Sequence, residues 1–298
     1  MQELLPAVLV EAFASEPLQG NGAAVVLLDQ PAGDPWMQGM AASLRQSETA
    51  FLNRDERGQW RLRWFTPTCE VPLCGHATLA ATLALAHWGH LGPGDHLSLA
   101  SRSGALEVAL TPQPTPDGSM RASLVLPSSG LQPEPVPARL EETLGSAIEA
   151  YWSSPLGYRV ALIPARVNLE ALASPASRLE GADRQGLVVM QVATPGLGPL
   201  LGGDCDYQLR FFAPGLGIEE DPVTGSAHAL VAPWWMQQLA RDVVRGWQAS
   251  ARRGGMLCEA AGPGRVRLTG VGQLLWDGRI NALGAGCDPL AWDRAVHL

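Results

Sequence analysis

Short apolar runs, separated by turns rich in Gly, Pro and Asn, dominate the chain and predict strands. Ala7–Phe13 and Ala23–Leu28 are two such runs, split by the turn sequence Gln19-Gly20-Asn21-Gly22. Asp34-Pro35 opens a helix that ends near Leu44, with Asp34 as N-cap and Pro35 at the first helical position. Strands are predicted next at Glu48–Leu52 and Trp60–Phe65. The segment Ala77–Ala86 then breaks the alternation, because it carries no charge on any face. A helix that is apolar all round is buried all round, and this one is too short to span a bilayer. Further strands are predicted at His96–Ala100, Ala105–Leu110 and Arg121–Leu126.

The Pro-rich stretch Pro127–Pro137 interrupts the pattern and reads as a semi-rigid linker. The expected organisation is an N-terminal lobe over 1–127, a linker over 128–137 and a C-terminal lobe over 138–298, with the last strand free to return to the first lobe. The second half repeats the plan. Strands are predicted near Tyr158–Ile163, Gly186–Val192 and Tyr207–Phe212, then an apolar helix from Gly225 that Pro233 should kink. Strands near Met256–Glu259, Arg265–Leu268 and Gln273–Trp276 close the chain.

The two halves also share a motif. Phe65-Thr66-Pro67 leads to Glu70-Val71-Pro72-Leu73-Cys74-Gly75-His76-Ala77. Half the chain later, Phe212-Ala213-Pro214 leads to Glu220-Asp221-Pro222-Val223-Thr224-Gly225-Ser226-Ala227. An interval that long indicates a duplicated domain rather than a solenoid, whose repeats run ~20–50 residues. Each copy is a strand, a glycine turn and an apolar helix. A helix start presents unpaired N–H groups and a partial positive charge, which suits an anionic ligand.

Composition narrows the chemistry. All 21 basic residues are arginine, so no lysine can form a Schiff base or complete a P-loop of the usual type. The net charge of −8 argues against a nucleic-acid or anionic-membrane partner, while leaving room for a small anionic metabolite. Cys69, Cys74, Cys205, Cys258 and Cys287 form neither a zinc framework nor a disulfide pattern. No metal and no cofactor are expected. A signal peptide and a long apolar span are both missing from the sequence, so a cytoplasmic setting is the expectation. A homodimer would be the commonest assembly.

With Ser47-Glu48-Thr49-Ala50-Phe51 added, these motifs resemble the PhzF-like isomerase family of phenazine biosynthesis along the whole chain. Gln19-Gly20-Asn21-Gly22, Gly75-His76-Ala77-Thr78, Gly225-Ser226-Ala227-His228 and Arg253-Gly254-Gly255 fall in the family's order. The resemblance implies an α+β fold like that of diaminopimelate epimerase. Such a fold has two pseudo-two-fold related lobes, each a curved antiparallel sheet wrapped around a central helix. It also implies a cofactor-independent isomerase in which Glu48 is the general acid/base. A partly buried carboxylate suits that work, since burial moves carboxyl pKa values toward neutrality.

His76 reads as a proton relay or a substrate partner, or else as a polar residue bonded to the helix start. Asp221 is either a helix-start carboxylate or a second catalytic group. Gly75, Gly225 and Ser226 are candidate substrate contacts, as is Asn21, unless it is only a turn residue. Leu73-Cys74-Gly75-His76 also resembles the first thiol motif of proline racemase and hydroxyproline epimerase. The repeat partner of Cys74 is Thr224, so two-thiol racemisation is disfavoured. A one-thiol lyase of hydroxyproline-dehydratase type and a non-catalytic metabolite-binding protein remain as alternatives. Under the isomerase reading, Gly75-His76 and Gly225-Ser226 should face one cleft, with Glu48 and Asp221 on opposite sides of the substrate.

Overall fold

A computed structural model of the chain describes residues 4–14, 16–112, 119–197 and 200–296. It divides into two compact units. The first comprises Met1–Pro17, Asn21–Val125 and Thr269–Leu298, and the second Leu18–Gly20 and Leu126–Leu268.

In the first unit, β1 (Leu4–Ala12) pairs antiparallel with β2 (Asn21–Leu28) and with the strand Arg265–Asn281. β2 runs parallel to β3 (Glu48–Arg54), which is antiparallel to β4 (Trp60–Phe65). β4 in turn runs parallel to His96–Ser101. The sheet is therefore mixed, not antiparallel as the family resemblance implied. The cause is the two helices. α1 (Asp34–Leu44) links β2 to β3, and α2 (Gly75–His87) lies between β4 and His96–Ser101 in the chain. A helical crossover is the usual way to join parallel neighbours. The second unit does the same: Tyr207–Ala213 runs parallel to Val243–Gln248, with the helix Gly225–Leu239 between them in the chain. Apolar periodicity predicts strands but carries no information on pairing direction.

α2 is the structural centre of its unit, with every residue from Gly75 to Leu85 buried. It packs on β1, β2 and β3. Arg265–Asn281 is one unbroken strand, although Gly270 and Gly272 read in the sequence as a gap between two. A Cβ at Gly272 would lie 2.2 Å from Leu83 Cδ1, and one at Gly270 would lie 2.3 Å from Phe13 Cδ1. The glycines let the helix and the β1 end approach the strand.

α1 starts one residue earlier than a cap at Asp34 would place it. Gly33 is the N-cap and Asp34 the first helical residue. The Asp34 carboxylate is drawn away to Arg63 Nη1, at 2.8 Å. In the second unit the helix Gly225–Leu239 runs through Pro233. Trp235 is buried and stacks on Tyr207 with ring centroids 5.5 Å apart, so it belongs to the core. The stretch read as a linker includes a short strand, Gln132–Pro133, paired with Trp152 and Ser153.

Candidate active site

Glu48 is the first residue of β3 and pairs in register with Ala23 of β2. That strand start brings its carboxylate to the start of α2. Glu48 Oε2 lies 3.1 Å from His76 Nε2, with both residues more than nine-tenths buried. Beyond this ion pair, Oε2 has no hydrogen-bond partner among the described residues. A carboxylate oxygen can accept more than one hydrogen bond, so Oε2 keeps acceptor capacity beside the imidazole.

Other side chains close around the imidazole. Asn21 Nδ2 is 3.2 Å from His76 Nδ1, and Cys74 Sγ is 3.5 Å from the same nitrogen. Ser47 Oγ donates to Asn21 Oδ1 at 2.9 Å and sits 3.4 Å from His76 Nε2. Burial disfavours charge on His76, but neighbouring Cys74 and Glu48 outweigh it and hold its pKa well above the ordinary histidine range. Burial, helped by Glu48, pushes the Cys74 thiol up to about 11. At neutral pH that thiol is uncharged, so Glu48 carries the upward effect on His76. Cys74 is the extended N-cap of α2, and no side chain caps this helix. Its first N–H groups therefore suit an anion.

Glu48, Cys74 and His76 also offer one donor atom each within 4.8 Å of one another, a set that could hold a cation. The sequence hid this group because the carboxylate comes from a different element. Prolonged dialysis against a chelator is nonetheless expected to leave activity unchanged. A loss restored by one specific divalent ion would overturn that expectation.

The remaining candidates lie in the second unit. Asp221 ends the strand Ile218–Asp221, is buried, and accepts a hydrogen bond from Thr224 Oγ1 at 2.5 Å. Gln248 secures this turn. Its Nε2 donates to the Asp221 carbonyl at 2.7 Å, and its Oε1 accepts from Thr224 N at 2.8 Å. Gly225 opens the helix, again with no side-chain cap. Ser226 Oγ is 3.2 Å from the Tyr158 hydroxyl. Neither Gln248 nor Tyr158 had a motif to betray it, since each reaches its partner from a distant strand or turn.

His228 lies deeper in the same helix, with Nδ1 2.8 Å from the Tyr207 hydroxyl. Gly246 makes room for it, because a Cβ there would come within 2.4 Å of both groups. Burial pushes the His228 imidazole down to about 3, with Gln248 opposing. An unfolded histidine titrates near ~6.5, so between these values the unfolded chain binds the extra proton. Stability is therefore lost as pH falls below ~6.5, by up to ~1.4 kcal/mol per unit from this group. Denaturant melts between neutrality and pH 4 should show a shallower acid slope for His228→Gln than for wild type. Equal slopes would remove His228 as the cause.

The motif glutamates have a separate task. Arg63, 1% exposed, is clasped by Glu70 through Nε at 2.8 Å and Nη2 at 2.9 Å, and lies over the Phe65 ring at 5.2 Å. In the other unit Arg210 is clasped by Glu220 at 2.7 Å through both Nε and Nη2, over Phe212 at 4.9 Å. The sequence signal was present: each arginine stands two residues before the phenylalanine of its motif.

Comparison with known proteins places this architecture. A protein of Pseudomonas aeruginosa named as an uncharacterized isomerase is 38% identical over 276 residues, covering 91% of this chain and 97% of its own. The crystal structure of a PhzF-family phenazine biosynthesis protein from Enterococcus faecalis superposes with a TM-score of 0.80 at 30% identity, covering 93% of this chain and 99% of that one. A hydroxyproline epimerase from Agrobacterium vitis, solved with bound trans-4-hydroxy-L-proline, shares the fold at a TM-score of 0.62 and 15% identity, covering 98% of this chain and 96% of that one. Fold and relatives define an enzyme of the isomerase class. The profile of the phenazine biosynthesis-like proteins, PhzC-PhzF, matches residues 10–278, and the chain belongs to that family.

Proposed function

We propose that this isomerase moves a proton on a small carboxylated metabolite, with Glu48 as general acid/base and no cofactor. Glu48 takes the proton from one carbon and returns it at another, so substrate and product share one formula. The supporting observation is the buried Glu48 carboxylate, whose Oε2 pairs with His76 Nε2 at 3.1 Å beside an uncapped helix start. His76 steadies the carboxylate and relays the proton. The N–H groups that begin at Gly75 receive the substrate carboxylate. The sequence repeat aligns Gly225 and Ser226 with Gly75 and His76 and so assigns them the matching role, while Asp221 pairs with a substrate amine or hydroxyl. The partner is a small anionic metabolite, not a nucleic acid or a membrane surface. Among the described residues no helix is long and apolar enough to cross a membrane.

The thiol alternative is weakened by chemistry. A Cys74 pKa pushed up to about 11 leaves little thiolate at neutral pH, and the thiolate is the reactive form. The test is incorporation of solvent deuterium into amino acids and carboxylated ring metabolites. Candidates are first chosen by thermal shift, where ligand at ~100 times its Kd stabilises by roughly 2.7 kcal/mol. Cys74→Ala should retain exchange. Its loss in that variant would favour the thiol, and binding with no exchange in wild type would favour a metabolite-binding protein.

A further inference from the structure

The duplicated motif turns share a scaffold but not a hydrogen-bond network. In each half, a serine holds the carbonyl of the motif proline. Ser103 Oγ donates to the Pro72 carbonyl at 2.6 Å, and Ser250 Oγ donates to the Pro222 carbonyl at 2.6 Å. Each serine stands two residues beyond a strand, His96–Ser101 in one unit and Val243–Gln248 in the other. Trp60 pairs with Leu99 and Tyr207 with Gly246, which makes Ser101 and Gln248 equivalent strand ends.

At those strand ends the halves part. Ser101 bonds within its own turn, donating to the Gly104 carbonyl at 2.7 Å and accepting from Ser103 N at 3.2 Å. Gln248 instead reaches into the motif turn, where it meets Asp221 and Thr224. The first unit has Val71 and Cys74 at those two positions. All three members of the group therefore change together. A contact needed only to fold the turn would occur in both copies, as the serine–proline contact does. The Asp221–Thr224–Gln248 group is an addition specific to the second unit.

Its bonds run in one direction only. Thr224 N can only donate, so the atom it meets at 2.8 Å is the Gln248 oxygen. The Asp221 carbonyl can only accept, so the atom it meets at 2.7 Å is the Gln248 nitrogen. Two backbone groups thus fix the amide, and a flipped amide would break both bonds. The same Nε2 donates to Thr224 Oγ1 at 3.2 Å. The hydroxyl hydrogen is left for Asp221 Oδ2, 2.5 Å away. Gln248 is 0% exposed, so water does not compete for its amide.

We propose that Gln248 is a positioning residue that fixes the Asp221 carboxylate, through the Thr224 hydroxyl, as a ready acceptor for the substrate. This deepens the role given to Asp221 above, and its effect on substrate binding rests on that role. A carboxylate held in place meets a substrate amine or hydroxyl without a search over rotamers, which lowers the ordering cost of binding.

Carbon NMR of the 13C-aspartate-labelled full chain reads the held carboxylate in the resting protein, with Asp221→Asn used to assign its signal. Thr224→Val removes the hydroxyl but keeps the side-chain shape, and should shift that signal. Thr224→Ser restores the donor and should return the signal toward wild type. Gln248→Met should also shift it, because nothing then directs the hydroxyl. Should Gln248→Met fail to fold, the side-chain nitrogen signal of Gln248 serves instead. It should move in Thr224→Val, where Nε2 loses an acceptor. Binding is read with the carboxylated ring metabolite that gives wild type its largest thermal shift. Thr224→Val and Gln248→Met should each weaken it about 10-fold, the order of one hydrogen bond to a charged group, with exchange at saturation little changed. The double variant should lose no more than Gln248→Met alone, since one residue acts through the other. An Asp221 signal unmoved in either variant, a Gln248 signal unmoved in Thr224→Val, or losses that multiply in the double variant would overturn the proposal. The NMR readout needs no substrate. Shifted signals with unchanged binding would therefore remove Asp221 from the substrate site while leaving the positioning intact.

Discussion

Glu48→Gln is expected to reduce solvent-deuterium exchange by about 10²–10⁴-fold, the range that a positioned general acid/base contributes. The substitution keeps the shape of the side chain and removes only its capacity to take a proton. β3 should be unaffected, because the Ala23–Glu48 register is made by the backbone. Binding should change much less than turnover, since the substrate carboxylate is assigned to the helix-start N–H groups and not to Glu48. That split separates a catalytic loss from a structural one. Thermal shift with a saturating ligand would confirm that the variant still binds. Exchange that persists in Glu48→Gln and stops in Cys74→Ala would transfer the chemistry to the thiol.

Much of this arrangement is visible in the sequence, and the parts that are not share a cause. The charge-free run after Gly75 announces a buried helix, and α2 is buried from Gly75 to Leu85. Ser47-Glu48-Thr49 marks a strand start, and β3 begins at Glu48. Both are local signals, set by period and by turn chemistry. Pairing direction is not local, so the parallel β2–β3 and β4 partnerships could not be read. Asp34 looked like a cap because the pull of Arg63, far along the chain, leaves no local trace. The Glu48–Cys74–His76 group has the same origin, a strand start meeting a helix start. Gly270 and Gly272 misled for the opposite reason. They resemble a turn but exist to admit Phe13 and Leu83 against a continuous strand.

The repeated glutamate gives the largest expected stability effect. Glu70→Ala should destabilise its unit by about 3–5 kcal/mol, the usual cost of leaving one member of a buried ion pair uncompensated. Arg63 cannot escape by losing its proton, since a guanidinium stays protonated in proteins. Nor can it swing to water, because it is 1% exposed and lies between the Phe65 and Trp292 rings at 5.2 and 5.3 Å. Asp34 alone would then face the guanidinium through a single contact. Replacing both partners, as in Arg63→Met with Glu70→Leu, should cost clearly less than Glu70→Ala, because no charge is left stranded. Glu220→Ala should behave like Glu70→Ala, though less severely, since Arg210 Nη1 keeps the Leu169 and Leu172 carbonyls. Denaturant melts of the four proteins decide the matter. If Glu70→Ala costs under ~1 kcal/mol, or the double replacement costs more than the single one, the clasp is not what holds β4 to its turn. The glutamate of the repeat would then need another explanation, closer to the substrate.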